Sequence, residues 1–327
     1  MDTFISWIFK AVVFGTIILY ASLGEAMTEK AGHLNLGVPG IMYLSASSSF
    51  YVCLLYVNST SSPNAFLLVM IALITAIIVG GLLGLLYSVM CVTFKCNQNV
   101  MGLLLTTFGV GFGKFLSTTL KIGDITASFA HQVFTTPIPY LSSIPYVGKL
   151  LFGYGFMTIA GVILAVVLHI FYNKTRIGLN LKAVGENPAT ADANGIDVTR
   201  YRYLATIFGC SLAGIAGITY TYTFASGLWS TNNNIESIGW LAVALVIFST
   251  WRSIHLLWGS CLFGLLYWAW NFLPTILNIT PFTGLTELLQ IIPYFVTILV
   301  LVINSIRHKK ENQPPESLGV PYFREER

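Results

Sequence analysis

Three long stretches of this chain contain no Asp, Glu, Lys or Arg: those between Lys30 and Lys95, between Arg202 and Glu236, and between Arg252 and Glu287. A soluble domain carries roughly a quarter charged residues and cannot lay so much uncharged chain against water. Each stretch can hold one or two membrane spans of about 20 apolar residues. In a bilayer every backbone polar group needs a partner within the protein, which leaves helices or a closed barrel. The apolar runs are continuous rather than alternating, so a barrel is excluded. The composition of 327 residues, 55% hydrophobic and 9% charged, agrees. The expected fold class is all-α: a polytopic membrane helical bundle that includes discontinuous helices.

Candidate spans are 4–23, 37–57, 65–94, 100–119, 153–173, 201–223, 238–250, 255–273 and 285–304, roughly nine in all. The first is longer than a secretory signal core and contains Lys10, so it is expected as a retained span. Basic residues cluster in 174–202 (Lys174, Arg176, Lys182, Arg200, Arg202) and in the tail (Arg307, Lys309, Lys310, Arg324, Arg327), whereas 120–152 holds only Lys121 and Lys149. The positive-inside rule puts 174–202, the tail and Arg252 in the cytoplasm and 120–152 outside. The chain thus divides into a transmembrane domain, 1–306, containing a cytoplasmic segment at 174–200, and a cytoplasmic tail, 307–327.

The run 238–250 spans only about 20 Å as a helix, short of a hydrocarbon core about 30 Å thick. It follows the polar stretch Ser230–Ser237. A helix that opens on polar groups at membrane depth lines a cavity; the alternative is an ordinary span with a displaced boundary. Gly80–Val89 resembles Ser260–Ala269, a weak internal repeat. Gly80/Gly84, Gly109/Gly113 and Ser260/Gly264 have the small-xxx-small spacing that brings helix backbones together in lipid. Asn35, Asn99, Thr106, Thr107, Asn233 and Glu236 are polar groups at expected helix breaks and form the candidate translocation path; each could equally be a cap or an interhelical hydrogen bond.

Enzymatic chemistry finds little support. His33, His131, His169, His255 and His308 show no ligand spacing, and Cys53, Cys91, Cys96, Cys210 and Cys261 form no CxxC, so neither a metal nor a cofactor is expected. The net charge of +4 gives no nucleic-acid signature. Gly109-Val-Gly-Phe-Gly-Lys114 lacks the spacing and the Ser or Thr of a phosphate-binding loop. Glu25, Glu236 and Glu287 fall at the ends of expected spans, so the midplane carboxylates of proton-coupled carriers are missing. Energy for transport must enter through another chain.

The segment 187–195 points to where. Asn187 can cap free amides and Pro188 suits the first helical position. Ala189, Thr190, Ala191, Asp192, Ala193 and Asn194 continue the helix, and Gly195 supplies a left-handed end. So short a helix is unstable alone; one with both ends specified implies a docking partner, against the plainer reading of a capped surface loop.

The stretch Thr175–Asp197 resembles the coupling segment of ABC importer permeases of the nucleoside and simple-sugar uptake type, within the branched-chain amino-acid permease superfamily. Glu29–Gly37, Gly239–Phe248 and Pro315–Arg327 are similar too, and the resemblance covers essentially the whole chain. It implies alternating access powered by cytoplasmic ATP-binding subunits, with an external solute-binding lipoprotein and a second, non-identical permease as partners. This chain looks like the shorter of the two permeases, sited in the bacterial inner membrane. Residues 187–195 would carry the coupling to the ATPase. Relatives usually carry an acidic residue where this chain has Pro39, so a role for that carboxylate does not transfer. Riboflavin importers share the scaffold, and a carrier or facilitator without ATPase partners is the alternative from another class.

Overall fold

The computed structural model describes residues 2–120, 128–137, 153–230, 233–276, 283–307 and 313–324. Expectations that rest on 121–127, 138–152, 231–232, 277–282, 308–312 and 325–327, including most of the 120–152 connection, lie outside the described residues. Every regular element described is a helix: α1 (Asp2–Lys30), α2 (Val38–Ser59), α3 (Ala65–Ser88), α4 (Gln98–Thr119), α5 (Ser128–Thr135), α6 (Phe156–Lys174), α7 (Arg176–Glu186), α8 (Pro188–Ala193), α9 (Val198–Thr219), α10 (Ile235–Phe248), α11 (Ser253–Ile276) and α12 (Thr283–Arg307). Single π-helical turns, Val89–Thr93 and Tyr220–Phe224, close α3 and α9.

Local chemistry sets many of these boundaries. Side chains of Asn64, Asn97, Thr175 and Asp197 accept hydrogen bonds from first-turn amides of α3, α4, α7 and α9, the groups a helix leaves unpaired. Among the described residues, seven helices are long and apolar enough to cross a membrane. The count of nine is not reproduced on that measure. Ile235–Phe248 is too short, as its 14 residues give about 21 Å, and in α12 the described apolar stretch is Leu288–Leu299.

The first helix departs most from expectation. Instead of ending near residue 23 it runs on to Lys30, which places Glu25 and Glu29 inside the helix, 1% and 0% exposed. The reading of Glu25 as a span-end carboxylate is therefore corrected. Hydropathy treats a carboxylate as a group seeking water, whereas both of these find partners within the bundle.

Two central helices, α1 and α9, cross at Gly24 and Gly209. A Cβ on Gly24 would collide with the Gly209 carbonyl, and one on Gly209 would lie 2.5 Å from the Gly24 carbonyl oxygen. Outside α9 lies α3, where a Cβ on Gly84 would meet Cys210 and the Thr206 carbonyl; outside α1 lies α11, where one on Gly264 would strike Ala11. Gly84 and Gly264 hold equivalent positions in the internal repeat, so the repeat has a structural counterpart. Without a hydrophobic force between helices in lipid, such close approach is what drives their association.

Candidate functional site

Residues 31–37 turn back from the end of α1 and run up alongside α9. The Arg202 Nε donates to the Ala31 carbonyl at 3.2 Å, the His33 Nδ1 meets the Thr206 hydroxyl at 2.9 Å, and the Asn35 side-chain Nδ2 donates to the Cys210 sulfur at 3.3 Å. Two non-helical residues thus climb one turn of α9. This fits an advance of about 3.3 Å per extended residue against about 1.5 Å per helical one. Such a backbone inside the bundle must have its polar groups satisfied, and four side chains from three helices do so. The Leu34 amide donates to Gln98 Oε1 (2.8 Å) and its carbonyl accepts from the Tyr87 hydroxyl (2.7 Å). The Asn35 amide donates to Glu25 Oε1 (3.1 Å), and the Leu36 carbonyl accepts from the Thr106 hydroxyl (2.7 Å). Glu25, missed as a functional residue from sequence, is thus the acceptor for a backbone amide deep in the bundle. Glu29 in turn accepts from the Trp251 indole. The signal that could have found them is their i, i+4 spacing, which puts both on one face of α1.

Because the Thr206 hydroxyl already donates to the Arg202 carbonyl at 2.9 Å, it can only accept from His33. The proton therefore sits on His33 Nδ1. Complete burial, with Arg202 and Lys95 nearby, holds this imidazole well below its ordinary pKa and keeps it neutral.

Helix α2 starts from this interior position, with Asn35 Oδ1 accepting the Gly37 amide at 2.9 Å. Pro39 occupies its second turn-forming position, where a missing amide costs nothing, and packs against Gly239 of α10. A Cβ on that glycine would lie 2.5 Å from the Pro39 Cα. The start of α2 and the start of α10, which opens within the polar stretch Ser230–Ser237, therefore touch.

The six residues read as a path do not gather in one place. Asn35 and Thr106 are buried together at the start of α2. Asn233 lies at the opening of α10, where its amide donates to the Ser230 carbonyl at 2.8 Å and it hydrogen-bonds Tyr43. Glu236 is half-buried in the first turn of α10, a favourable place for negative charge. Asn99 and Thr107 are exposed on α4, and the Thr107 hydroxyl donates to the carbonyl of Leu103 in its own helix. Missed from sequence is a cavity of about 340 Å³ between α10, α11 and α12, lined by Asn234, Ser237, Tyr267, Trp270, Gln290 and Tyr294. Its sequence signal was Gln290 followed by Pro293 and Tyr294 within an otherwise apolar helix.

At the opposite end of the bundle, α8 forms as its residues dictate. Asn187 Oδ1 accepts the Thr190 amide at 2.9 Å and Pro188 opens the helix. At the far end the Gly195 amide donates to the Asp192 carbonyl (2.9 Å) and the Ile196 amide to the Ala191 carbonyl (3.0 Å), with Gly195 at φ +80°. That pair of bonds is a Schellman ending. Ala191 is buried with Val184 and Val198. Asn187, Ala189, Thr190, Ala193, Asn194 and Gly195 face outward, with Pro188 and Asp192 half-buried beside them. This surface is made of small, uncharged groups, so shape rather than charge distinguishes it.

The described tail, 313–324, packs against α7 and the inner side of α8. The Ser317 amide donates to the Gly185 carbonyl (3.0 Å) and the Gly319 amide to the Gly32 carbonyl (3.2 Å). The Tyr322 hydroxyl donates to Asp192 at 2.9 Å, Arg324 pairs with the same carboxylate at 3.3 Å, and the Lys95 ammonium donates to the Tyr322 carbonyl at 2.5 Å. The end of the chain thus holds α8 from the side away from its free face.

The comparisons with known proteins agree with this architecture. The chain is 35% identical over 251 residues to the putative glucose ABC transporter permease protein TsgC13 of Haloferax volcanii, covering 77% of this chain and 72% of that protein. It is 31% identical to the nucleoside ABC transporter permease protein NupC of Lactococcus lactis (89% and 90% covered). It is 27% identical to the guanosine ABC transporter permease protein NupQ of Bacillus subtilis (97% and 96%). No solved structure matches the chain. Residues 7–301 match the family described as branched-chain amino acid transport system / permease component. With that match over most of its length and its bundle of long apolar helices, the chain belongs to that family and is a multi-pass transmembrane permease subunit of an ABC importer.

Proposed function

We propose that this permease is one half of a heterodimer that imports a nucleoside-like or simple-sugar solute by alternating access, with α8 as the helix that docks into a cytoplasmic ATP-binding subunit. The observation that carries the reading is α8 itself. A helix of six residues cannot hold its shape alone, yet this one is capped at both ends, clamped by the tail and turns a small, uncharged face outward. The relatives support a second permease: Lactococcus lactis and Bacillus subtilis also have NupB and NupP, of whose lengths this chain covers only 68% and 69%. An external solute-binding lipoprotein completes the proposed assembly. The cavity beside α10 favours a solute with a flat or ring-shaped face. Its aromatic walls offer stacking surfaces, and its Asn and Gln amides can read polar edges.

Reconstitution tests the proposal. The purified chain alone in liposomes should be transport-silent. Liposomes holding both permeases and the ATPase, supplied with ATP and the binding protein, should accumulate the solute. Solute counterflow by the chain alone would overturn the reading in favour of a carrier.

A further inference from the structure

Four stretches of chain meet around one side chain at the α8 end of the bundle: the turn after α1, the end of α7, the start of α9 and the tail. The Arg202 guanidinium, 2% exposed, donates through Nε to the Ala31 carbonyl at 3.2 Å. Its two terminal nitrogens reach the Val320 carbonyl and the Ser317 hydroxyl, each at 3.5 Å. Ser317 extends the connection, because its hydroxyl donates to the Gly185 carbonyl at 2.5 Å. Gly185 lies two residues before Asn187, which caps α8.

Backbone closes the same junction. The Gly319 amide donates to the Gly32 carbonyl at 3.2 Å, and both glycines have positive φ, +79° and +88°. A Cβ on Gly32 would lie 2.7 Å from the Ser317 hydroxyl oxygen, and one on Gly185 would strike the Lys30 carbonyl. The tail, the end of α7 and the turn after α1 are thus in direct backbone contact.

A buried cation is ordinarily paired with a carboxylate, because stripping its water is costly. The acceptors of Arg202 are all neutral oxygens, while the buried carboxylates of α1 are turned elsewhere, Glu25 to the Asn35 amide and Glu29 to the Trp251 indole. What the guanidinium supplies is geometry. Its planar fork of donors holds separate segments at once, which the single charged point of a lysine does not. From the turn the connection continues inward: Asn35 holds the Gly37 amide at the start of α2, and Pro39 of α2 packs on Gly239 of α10.

We infer that Arg202 is a positioning residue for transport. With Ser317 and Gly319 it fastens the end of α7, and so α8, to the turn from which α2 starts. A displacement of α8 is thereby carried to α2 and α10, beside the proposed solute cavity. Coupling between separated sites travels through contiguous packed and hydrogen-bonded groups of this kind. The inference rests on the reading of α8 as the helix that docks the ATP-binding subunit.

The test uses liposomes holding both permeases and the ATPase, supplied with ATP and the binding protein, and measures solute taken up per ATP hydrolysed. Arg202→Lys, which keeps the charge but not the fork, should lower that ratio about tenfold, and Ser317→Ala about threefold, the loss of one or two hydrogen bonds. Membrane levels, co-purification with the ATPase and hydrolysis without solute should stay within about twofold of wild type. Ser317→Ala keeps the test open should Arg202→Lys misfold. An unchanged ratio in Ser317→Ala and in every variant that assembles overturns the inference, as does a loss of uptake and hydrolysis in equal proportion, which marks a purely structural role. Failure of the reading of α8 is seen separately, as full uptake by Gly195→Val.

Discussion

Gly195 shows how one residue can decide a surface. Its φ is +80°, and a Cβ there would meet nothing within 4 Å, so any objection to a side chain is conformational rather than steric. The left-handed region costs an L-residue roughly 1–2 kcal/mol, more for a β-branched one, and is tolerated best by Asn. Uptake and co-purification with the ATPase should therefore fall in the order Gly195→Asn, Gly195→Ala, Gly195→Val, with membrane levels unchanged. Asn187→Ala, which removes the bond to the Thr190 amide, should cost α8 about 0.5–2 kcal/mol. Full uptake by Gly195→Val would reduce α8 to a capped loop. Asn187, Pro188 and Gly195 were legible in the sequence because each acts on backbone within a few residues. Glu25 was not: its partner, the Asn35 amide, is brought to it only by the turn-back at 31–37. Asp192 was legible as part of a helix but not as the anchor of Tyr322 and Arg324, which lie 130 residues or more along the chain.

At the scale of elements, the sequence reading made 307–327 a polar cytoplasmic tail and said nothing of what it packs against. Its described part is a clamp on α7 and α8. The clamp has an exposed contact and a sheltered one. Arg324 is 77% exposed where it pairs with Asp192, and such surface pairs are worth about 0–1 kcal/mol. Tyr322 donates to the same carboxylate and packs against the small core of Val184, Ala191 and Val198. Hydrogen exchange at the α8 amides should therefore speed up several-fold in Tyr322→Ala and little in Arg324→Ala. The reverse ranking would mean that charge, not packing, holds the helix. Boundaries of most long helices could be read within a few residues because apolar runs and caps coincide there. The end of α1 could not, because the two glutamates that appear to stop it are accommodated by Asn35, Thr28 and Trp251.

For the whole molecule, the arrangement of basic residues and the path of the chain give one orientation. Lys95 reaches the tail at Tyr322, and Arg202 reaches the turn at Ala31. Lys30, Lys182 and Arg252 share a cavity. The basic segment 174–202 and the described part of the tail, separate in sequence, thus meet at one end of the bundle, and the positive-inside rule predicts that this end faces the cytoplasm. From it α2 leads away to the short turn at 60–64, whose Ser62 is exposed, so this turn belongs to the outer end. Lys174, exposed at the close of α6, belongs to the inner end. On a background without the five native cysteines, Ser62→Cys should react with a membrane-impermeant maleimide in intact cells, and Lys174→Cys only after the cells are opened. The opposite pattern would reverse the bundle. It would place α8 outside the cell, where no ATP-hydrolysing partner could reach it, and the proposed coupling would fall with the orientation.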